Sequence, residues 1–187
     1  VTFGHSWVAG RYPSRWVRPW PNQAAAALHR KTKNFGKGSA LTSDTVASVI
    51  AYDPAGSDVV VIETVLNDLR RFGDSEIGLR QYREGTTGML THLRSAPEPP
   101  RILVAVDPEI TAWSSFPPFD RGSPSARAAY LAQAHEIVAP FPGVDCIDLG
   151  VGWDPGCHLA DDGVHPNAAG TRFLARAVAA RLEGEVT

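Results

Sequence analysis

The chain has 187 residues, 43% of them hydrophobic and 20% charged, and its net charge is −2. This balance describes an ordered globular chain, expected to form one domain over residues 1–187, rather than a disordered one. It argues against a dedicated nucleic-acid binder, which would be strongly basic, and no apolar run reaches the roughly eighteen residues of a membrane span.

The first apolar run, VTF at 1–3, is a strand stub that enters Gly4-His5-Ser6-Trp7 directly. Because Val1 starts almost inside this strand, the natural chain is expected to begin earlier. An Ala-rich helix, WPNQAAAALHR, begins at Trp20. The basic stretch from His29 to Lys37 reads as a solvated surface, with an anion contact as the lesser alternative. Residues 32–39 fit a short strand and a loop. SDTVASVIAYD is a helix with Ser43 or Asp44 near its cap. DVVVIE at 58–63 is a nearly continuous β-branched run, the mark of a strand buried on both faces. A helical region runs from about Asp74 to Arg94, weakened by Gly78, Gly85 and Gly88. RILVAV at 101–106 is a second fully apolar strand. Pro124 sits near the start of the helix SARAAYLAQAHEIVA, which ends before Pro140. VDCIDL at 144–149 is the last strand. The closing helix repeats Ala169, Phe173, Leu174, Ala177, Val178 and Leu182 on one face.

Strands and helices alternating at crossover spacing predict a three-layer α/β/α domain around a parallel sheet. Ligands of such sheets bind beyond the carboxyl ends of the strands. The polar residues that follow the strands are Ser6, then Asn67 and Asp68, then Asp107 and Glu109, then the segment 150–165.

Within that last segment, Asp162 and His165 stand three apart at the entry to the final helix. A carboxylate at this spacing can fix an imidazole's tautomer, leaving its other nitrogen to take a proton from a serine hydroxyl. The plainer alternative has Asp162 capping the helix and His165 satisfying backbone. Asp161 is a competing orienter. Ser6 does not sit in a Gly-x-Ser-x-Gly elbow, and no Gly-x-Gly-x-x-Gly run opens the chain. Cys157, His158, Asp161, Asp162 and His165 cluster in sequence without a zinc spacing, so neither a metal nor a cofactor is expected. Cys146 and Cys157 flank a Gly-rich loop. A disulfide between them is the favoured expectation, with free thiols as the alternative, and it goes with a secreted or extracytoplasmic location.

Four blocks, in order along nearly the whole chain, resemble those of the SGNH hydrolases, the GDSL-type esterase and lipase superfamily. FGHS resembles the Gly-Asp-Ser block, NFGKGSA the Gly-containing second block, VLNDL the Gly-x-Asn-Asp block, and DGVHPNAAG the final Asp-x-x-His block. The resemblance implies a flavodoxin-like fold. It makes Ser6 the nucleophile, His165 the base and Asp162 its orienter, with Gly38 and Asn67 as oxyanion donors and Gly36 as a competitor to Gly38. Two positions depart from the pattern: His5 stands where the family has aspartate, and Val65 where it has glycine. His5 is expected to alter the turn or reach toward substrate, and Val65 to narrow the pocket. Asp68 is expected to hold the donor loop by a structural hydrogen bond.

Trp7, Trp113 and Trp153 fall in or beside the loops expected at the active end and are candidate substrate contacts. The loop starting at Thr111 is the expected pocket wall. The substrate expected is a small-molecule or polysaccharide ester, with short acyl groups such as O-acetyl favoured. A catalytically silent carbohydrate-binding or structural module on the same fold is the alternative.

Overall fold

The apolar runs become five strands: β1 (Thr2–Gly4), β2 (Asn34–Gly36), β3 (Val59–Glu63), β4 (Arg101–Val106) and β5 (Val144–Asp148). They are seen in a computed structural model that describes residues 1–10 and 17–184. All neighbours pair in parallel in the order β2-β1-β3-β4-β5. The chain winds outward from β1 to β2 and then crosses back to β3. Strand order therefore reverses between β1 and β3, which is where doubly wound sheets open a crevice.

The eight helices among the described residues are α1 (Ser6–Ala9), α2 (Trp20–Ala27), α3 (Thr42–Ile50), α4 (Val65–Phe72), α5 (Glu76–Arg94), α6 (Pro124–Val138), α7 (Pro155–His158) and α8 (Ala168–Glu183). Alternation along the central strands feeds two cores. Val60, Ile62, Ile102 and Val104 meet Leu69, Leu90, Tyr130 and Ala134 of α4, α5 and α6 on one face. Val61, Leu103 and Ala105 meet Trp7, Trp20, Leu174 and Val178 of α1, α2 and α8 on the other. Truncating one such fully buried leucine to alanine typically costs about 2–5 kcal/mol. These layers are the α/β/α sandwich expected from the sequence.

Three details differ from the sequence reading. The segment VLNDLRRF forms a helix of its own, α4. The glycines of α5 do not interrupt it; Gly78 lets the helix approach closely, since a Cβ there would lie 2.4 Å from the Phe72 Cβ. The buried face of α8 is centred on Thr171, Leu174, Ala175 and Val178, leaving Phe173 and Ala177 half-buried at its flank.

The expected disulfide is absent, because Cys146 and Cys157 are both free. Cys146 lies within β5 and packs against the core under α5 and α6, where burial pushes its thiol up to about 12. Cys157 is exposed on the one-turn helix α7, beyond the strand's end. No helix among the described residues is long and apolar enough to cross a membrane. A cavity of about 800 Å³ lies at the amino end of the sheet, lined in part by Val1, Val59, Trp20, Tyr52 and Lys33, on the opposite side from Ser6. Arg30 of the basic stretch also borders it and is paired with Asp58.

Candidate active site

The turn that follows β1 is forced by close packing. A Cβ at Gly4 would lie 2.2 Å from the Glu63 carbonyl oxygen, so β1 can lie this close to β3 only with glycine there. His5 then caps α1, and Ser6 is its first residue, at the β1–β3 switch point. Ser6 is 9% exposed.

The Ser6 hydroxyl lies 3.1 Å from His165 Nε2, although the two residues are 159 positions apart. His165 Nδ1 lies 2.7 Å from Asp162 Oδ2. The Asp162 Oδ1 accepts the backbone N–H groups of Val164 (2.9 Å) and His165 (2.8 Å), which fixes the carboxylate on the same turn as the imidazole. Partial burial works against this charge. The two backbone donors and His165 outweigh it, and the Asp162 carboxyl is held below its ordinary range. Nδ1 faces a carboxylate and therefore carries the proton, so Nε2 is the acceptor for the Ser6 hydroxyl. Asp162 does the backbone capping of the plainer reading and the orienting together.

The residues after His165 explain why this turn is rigid. Asn167 caps α8 through its Oδ1, which accepts from Ala169 and Gly170, while its Nδ2 donates to the carbonyls of Cys157 and Leu159. A Cβ at Gly170 would lie 2.2 Å from the His158 carbonyl oxygen, so glycine allows α7 and α8 to meet. The Ala160 N–H donates to the His165 carbonyl at 2.8 Å, closing the loop.

Asn67 lies in the first turn of α4 and is buried. Its Nδ2 donates to the Ala40 carbonyl at 2.9 Å, using one of two amide hydrogens. Ala40 closes the turn 37–40 that contains Gly38 by donating to the Lys37 carbonyl. Asp68 braces the same junction, accepting from the Thr42 N–H at 2.8 Å and the Thr42 hydroxyl at 3.0 Å. This is the structural bond expected of it, and burial lifts its carboxyl to about 7. The two candidate glycines separate clearly. The Gly36 N–H donates to Asn34 Oδ1 at 2.8 Å, and a Cβ there would strike the backbone of Ala9 at 2.1 Å. The Gly38 N–H has no acceptor among the described residues, so it is the one free to serve a ligand.

The two departures from the family pattern point inward rather than toward substrate. Val65 is fully buried in the core shared with α5 and α6, so it does not narrow a pocket. His5 is also fully buried. Its Nε2 lies 2.9 Å from Asp107 Oδ1, and its Nδ1 accepts a long bond, 3.4 Å, from the Trp7 N–H. Glu63, at the end of β3, is fully buried beside them, with a carboxylate oxygen within 4.8 Å of ligand atoms of His5 and Asp107. Burial first, and then the Asp107 charge, hold the Glu63 carboxyl well above its ordinary range, against the pull of the Trp20 indole N–H.

Among the described residues, His5, Glu63 and Asp107 are the residues that bring three ligand-type atoms within 4.8 Å of one another. The cluster of Cys157, His158, Asp161, Asp162 and His165 does not gather into such a group there. Asp161 is exposed and has no bond to His165, which leaves Asp162 as the orienter.

The aromatic candidates divide. Trp7 is 0% exposed and belongs to the core, so it cannot touch substrate in this structure; the one-turn helix that presents Ser6 turns Trp7 inward. Trp153 is half-buried and stacks over Trp7 at 5.9 Å, with its indole N–H on the Glu109 carbonyl. Trp113 is half-buried at the base of the loop 111–123, which Arg70 of α4 fastens by donating to the Ser115 carbonyl. Phe116 and Val151, from this loop and the one after β5, are 56% and 76% exposed. Sequence reasoning placed Phe116 within the pocket-wall loop but did not single it out. It missed Val151 and the roles of Glu63 and Arg70.

A model of the GDSL-like lipase/acylhydrolase family matches residues 2–173. The fold is similar to a putative arylesterase from Agrobacterium tumefaciens (TM-score 0.71, 19% identity, 98% of this chain and 97% of that one). A carbohydrate acetylesterase family member from Sinorhizobium meliloti gives TM-score 0.71 at 18% identity, covering 98% and 97%. A lipase/acylhydrolase from Enterococcus faecalis gives 0.76 at 19% identity, covering 100% and 96%. No curated protein matches the chain by sequence. With the family model spanning nearly its whole length, and the SGNH-type fold beneath it, the chain belongs to the GDSL-like lipase/acylhydrolase family of ester hydrolases.

Proposed function

We propose that this chain hydrolyses carboxylic esters through an acyl-enzyme on Ser6. The observation that carries the reading is the continuous line from Asp162 through His165 to the Ser6 hydroxyl, at 2.7 and 3.1 Å. His165 Nε2 takes the hydroxyl proton as Oγ attacks the ester carbonyl, and the imidazolium that forms faces the Asp162 carboxylate. Collapse of the tetrahedral intermediate expels the alcohol, which receives its proton from His165. Water, deprotonated by His165, then attacks the acyl-enzyme and frees Ser6. The oxyanion is held by the Gly38 N–H, the remaining Asn67 amide hydrogen and the Ser6 N–H at the start of α1. Each such donor is worth roughly 2.7–4 kcal/mol in serine hydrolases.

Short acyl groups are the substrates proposed, with an O-acetyl group on a carbohydrate as the leading candidate. Trp153, Trp113, Phe116 and Val151 offer aromatic and aliphatic surface near the carboxyl end of the sheet. Solved structures of similar fold include a carbohydrate acetylesterase and arylesterases. The silent-module alternative would rest on the two departures from the family pattern, His5 and Val65, and both are fully buried. The test compares wild type with Ser6→Ala on chromogenic acetate, butyrate and octanoate esters and on acetylated xylan. The proposal expects the highest kcat/KM on acetate, acetate release from the polysaccharide, and loss of both in the variant. Equal rates in the two proteins would overturn it.

A further inference from the structure

His5 and Asp107 form a second imidazole–carboxylate pair in this molecule, and nothing in the reaction above uses it. Both residues are fully buried, under the turn that carries Ser6. His5 Nδ1 accepts from the Trp7 N–H, so the ring proton sits on Nε2, which donates to Asp107 Oδ1 at 2.9 Å. The other Asp107 oxygen, Oδ2, accepts the Leu66 N–H at 2.9 Å. Trp7 follows the nucleophile, and Leu66 precedes the oxyanion amide of Asn67. One hydrogen-bonded path therefore joins the two halves of the site through the interior, from residue 7 to residue 66.

The anchor of this path is itself held. Asp107 follows β4 directly, and its carbonyl accepts from Arg127 Nε at 2.7 Å. Carboxyl ends of β1, β3 and β4 are thus tied together at a single carboxylate. An aspartate at position 5 would bring a third acidic group to Glu63 and Asp107 without a donor for either. Histidine instead supplies an N–H to Asp107 and an acceptor to Trp7.

We propose that His5 and Asp107 are positioning residues: together they set the Ser6 turn against the Asn67 helix, fixing the nucleophile relative to its oxyanion donors. The pair touches no reacting atom. It acts on the rate because a displacement of about 1 Å between reacting groups can cost about 10²-fold. This inference rests on the esterase reading above.

Two substitutions at one position separate its two bonds. In His5→Asn, the amide oxygen can replace Nδ1 as the cap for Trp7, but the side chain is too short to reach Asp107. In His5→Gln, the amide nitrogen falls near the place of Nε2 and keeps the Asp107 bond. Steady-state kinetics on the acetate ester should show His5→Asn and Asp107→Asn losing about 10²-fold in kcat, with KM within about threefold of wild type. His5→Gln should recover at least about tenfold of the His5→Asn loss. Proton NMR of the wild type should show a slowly exchanging imidazole N–H that survives His165→Ala, disappears in His5→Gln and shifts in Asp107→Asn.

The proposal is overturned if an active wild type is matched by His5→Asn and Asp107→Asn, or if His5→Gln and His5→Asn are equally impaired. It is also overturned if the buried imidazole resonance is absent, or if elemental analysis finds one metal ion per chain that is lost in His5→Gln. A wild type without Ser6-dependent hydrolysis is a different failure: the esterase reading falls first, and the catalytic purpose of the pair falls with it. If the imidazole signature is present in that case, the buried bond still stands.

Discussion

Among the described residues there are two histidine–carboxylate pairs of nearly equal length, set in opposite surroundings. His165 and Asp162 meet at 2.7 Å with both side chains more than a quarter exposed, while His5 and Asp107 meet at 2.9 Å with both fully buried. The difference lies in what the second ring nitrogen sees. For His165 it is the Ser6 hydroxyl, whose proton can be moved; for His5 it is the Trp7 backbone N–H, whose proton cannot. On the proposed mechanism, the same chemical unit carries a proton at the surface and braces the backbone one layer below. Solvent access and the partner on the free nitrogen decide which, and the pair itself does not.

The comparison can be broken most severely at the exposed pair. Ser6→Ala and His165→Ala should each lower kcat by about 10⁴-fold or more, and Asp162→Asn by about 10³–10⁴-fold, read as steady-state rates on the acetate ester. An Asp162→Asn enzyme with wild-type rates would mean that the carboxylate only caps the turn. Next in size is Asn67→Ala, expected to lose about 10²–10³-fold in kcat because it removes one oxyanion donor. That substitution also frees the Ala40 carbonyl, so its melting temperature should be measured beside its rate.

The buried side of the comparison is sharpened by pH. Asp68 is raised from 3.8 to about 7 and Glu63 well above 4.5, both chiefly by burial. A carboxyl raised in the folded state binds its proton more tightly there than in the unfolded chain. Its contribution to stability is full below the unfolded value and is lost as pH rises through the folded one. Wild type should therefore melt at progressively lower temperature as pH rises from about 4 to about 7. Asp68→Asn can keep both Thr42 bonds through its amide oxygen, and Glu63→Gln can keep the Trp20 indole bond through its own. Each should flatten that slope in calorimetry, and an unchanged slope would contradict the burial account. The smallest effect concerns the thiols: adding a reductant should leave the melting temperature unmoved, because Cys146 and Cys157 are not joined.

Much of the site was legible because its parts are encoded locally. Asp162 and His165 share one turn, and the strands that deliver Ser6 and Asn67 are unbroken apolar runs. Parallel strands of that kind fix which end of the sheet the loops reach. Features that depend on side-chain direction were not legible. Trp7 is adjacent to Ser6 in sequence, yet one turn of helix sends the two to opposite sides. Cys146 and Cys157 are near in sequence, but one belongs to a strand packed on the core and the other to a surface turn. Glu63 reads as the polar end of a buried strand. Only the strand order, β1 beside β3 beside β4, reveals that it meets His5 and Asp107. His5, expected to alter the turn or reach toward substrate, is buried instead on Asp107 just past β4, a partner that only the strand order brings near.

The central claim is that Ser6 is the nucleophile and that His165 activates it. Intact-protein mass spectrometry after exposure to a fluorophosphonate, followed by peptide mapping, tests it most directly. The account predicts one adduct per chain, on Ser6, absent from Ser6→Ala and strongly slowed in His165→Ala. A folded wild type that takes no adduct, or takes it on another residue, would contradict it.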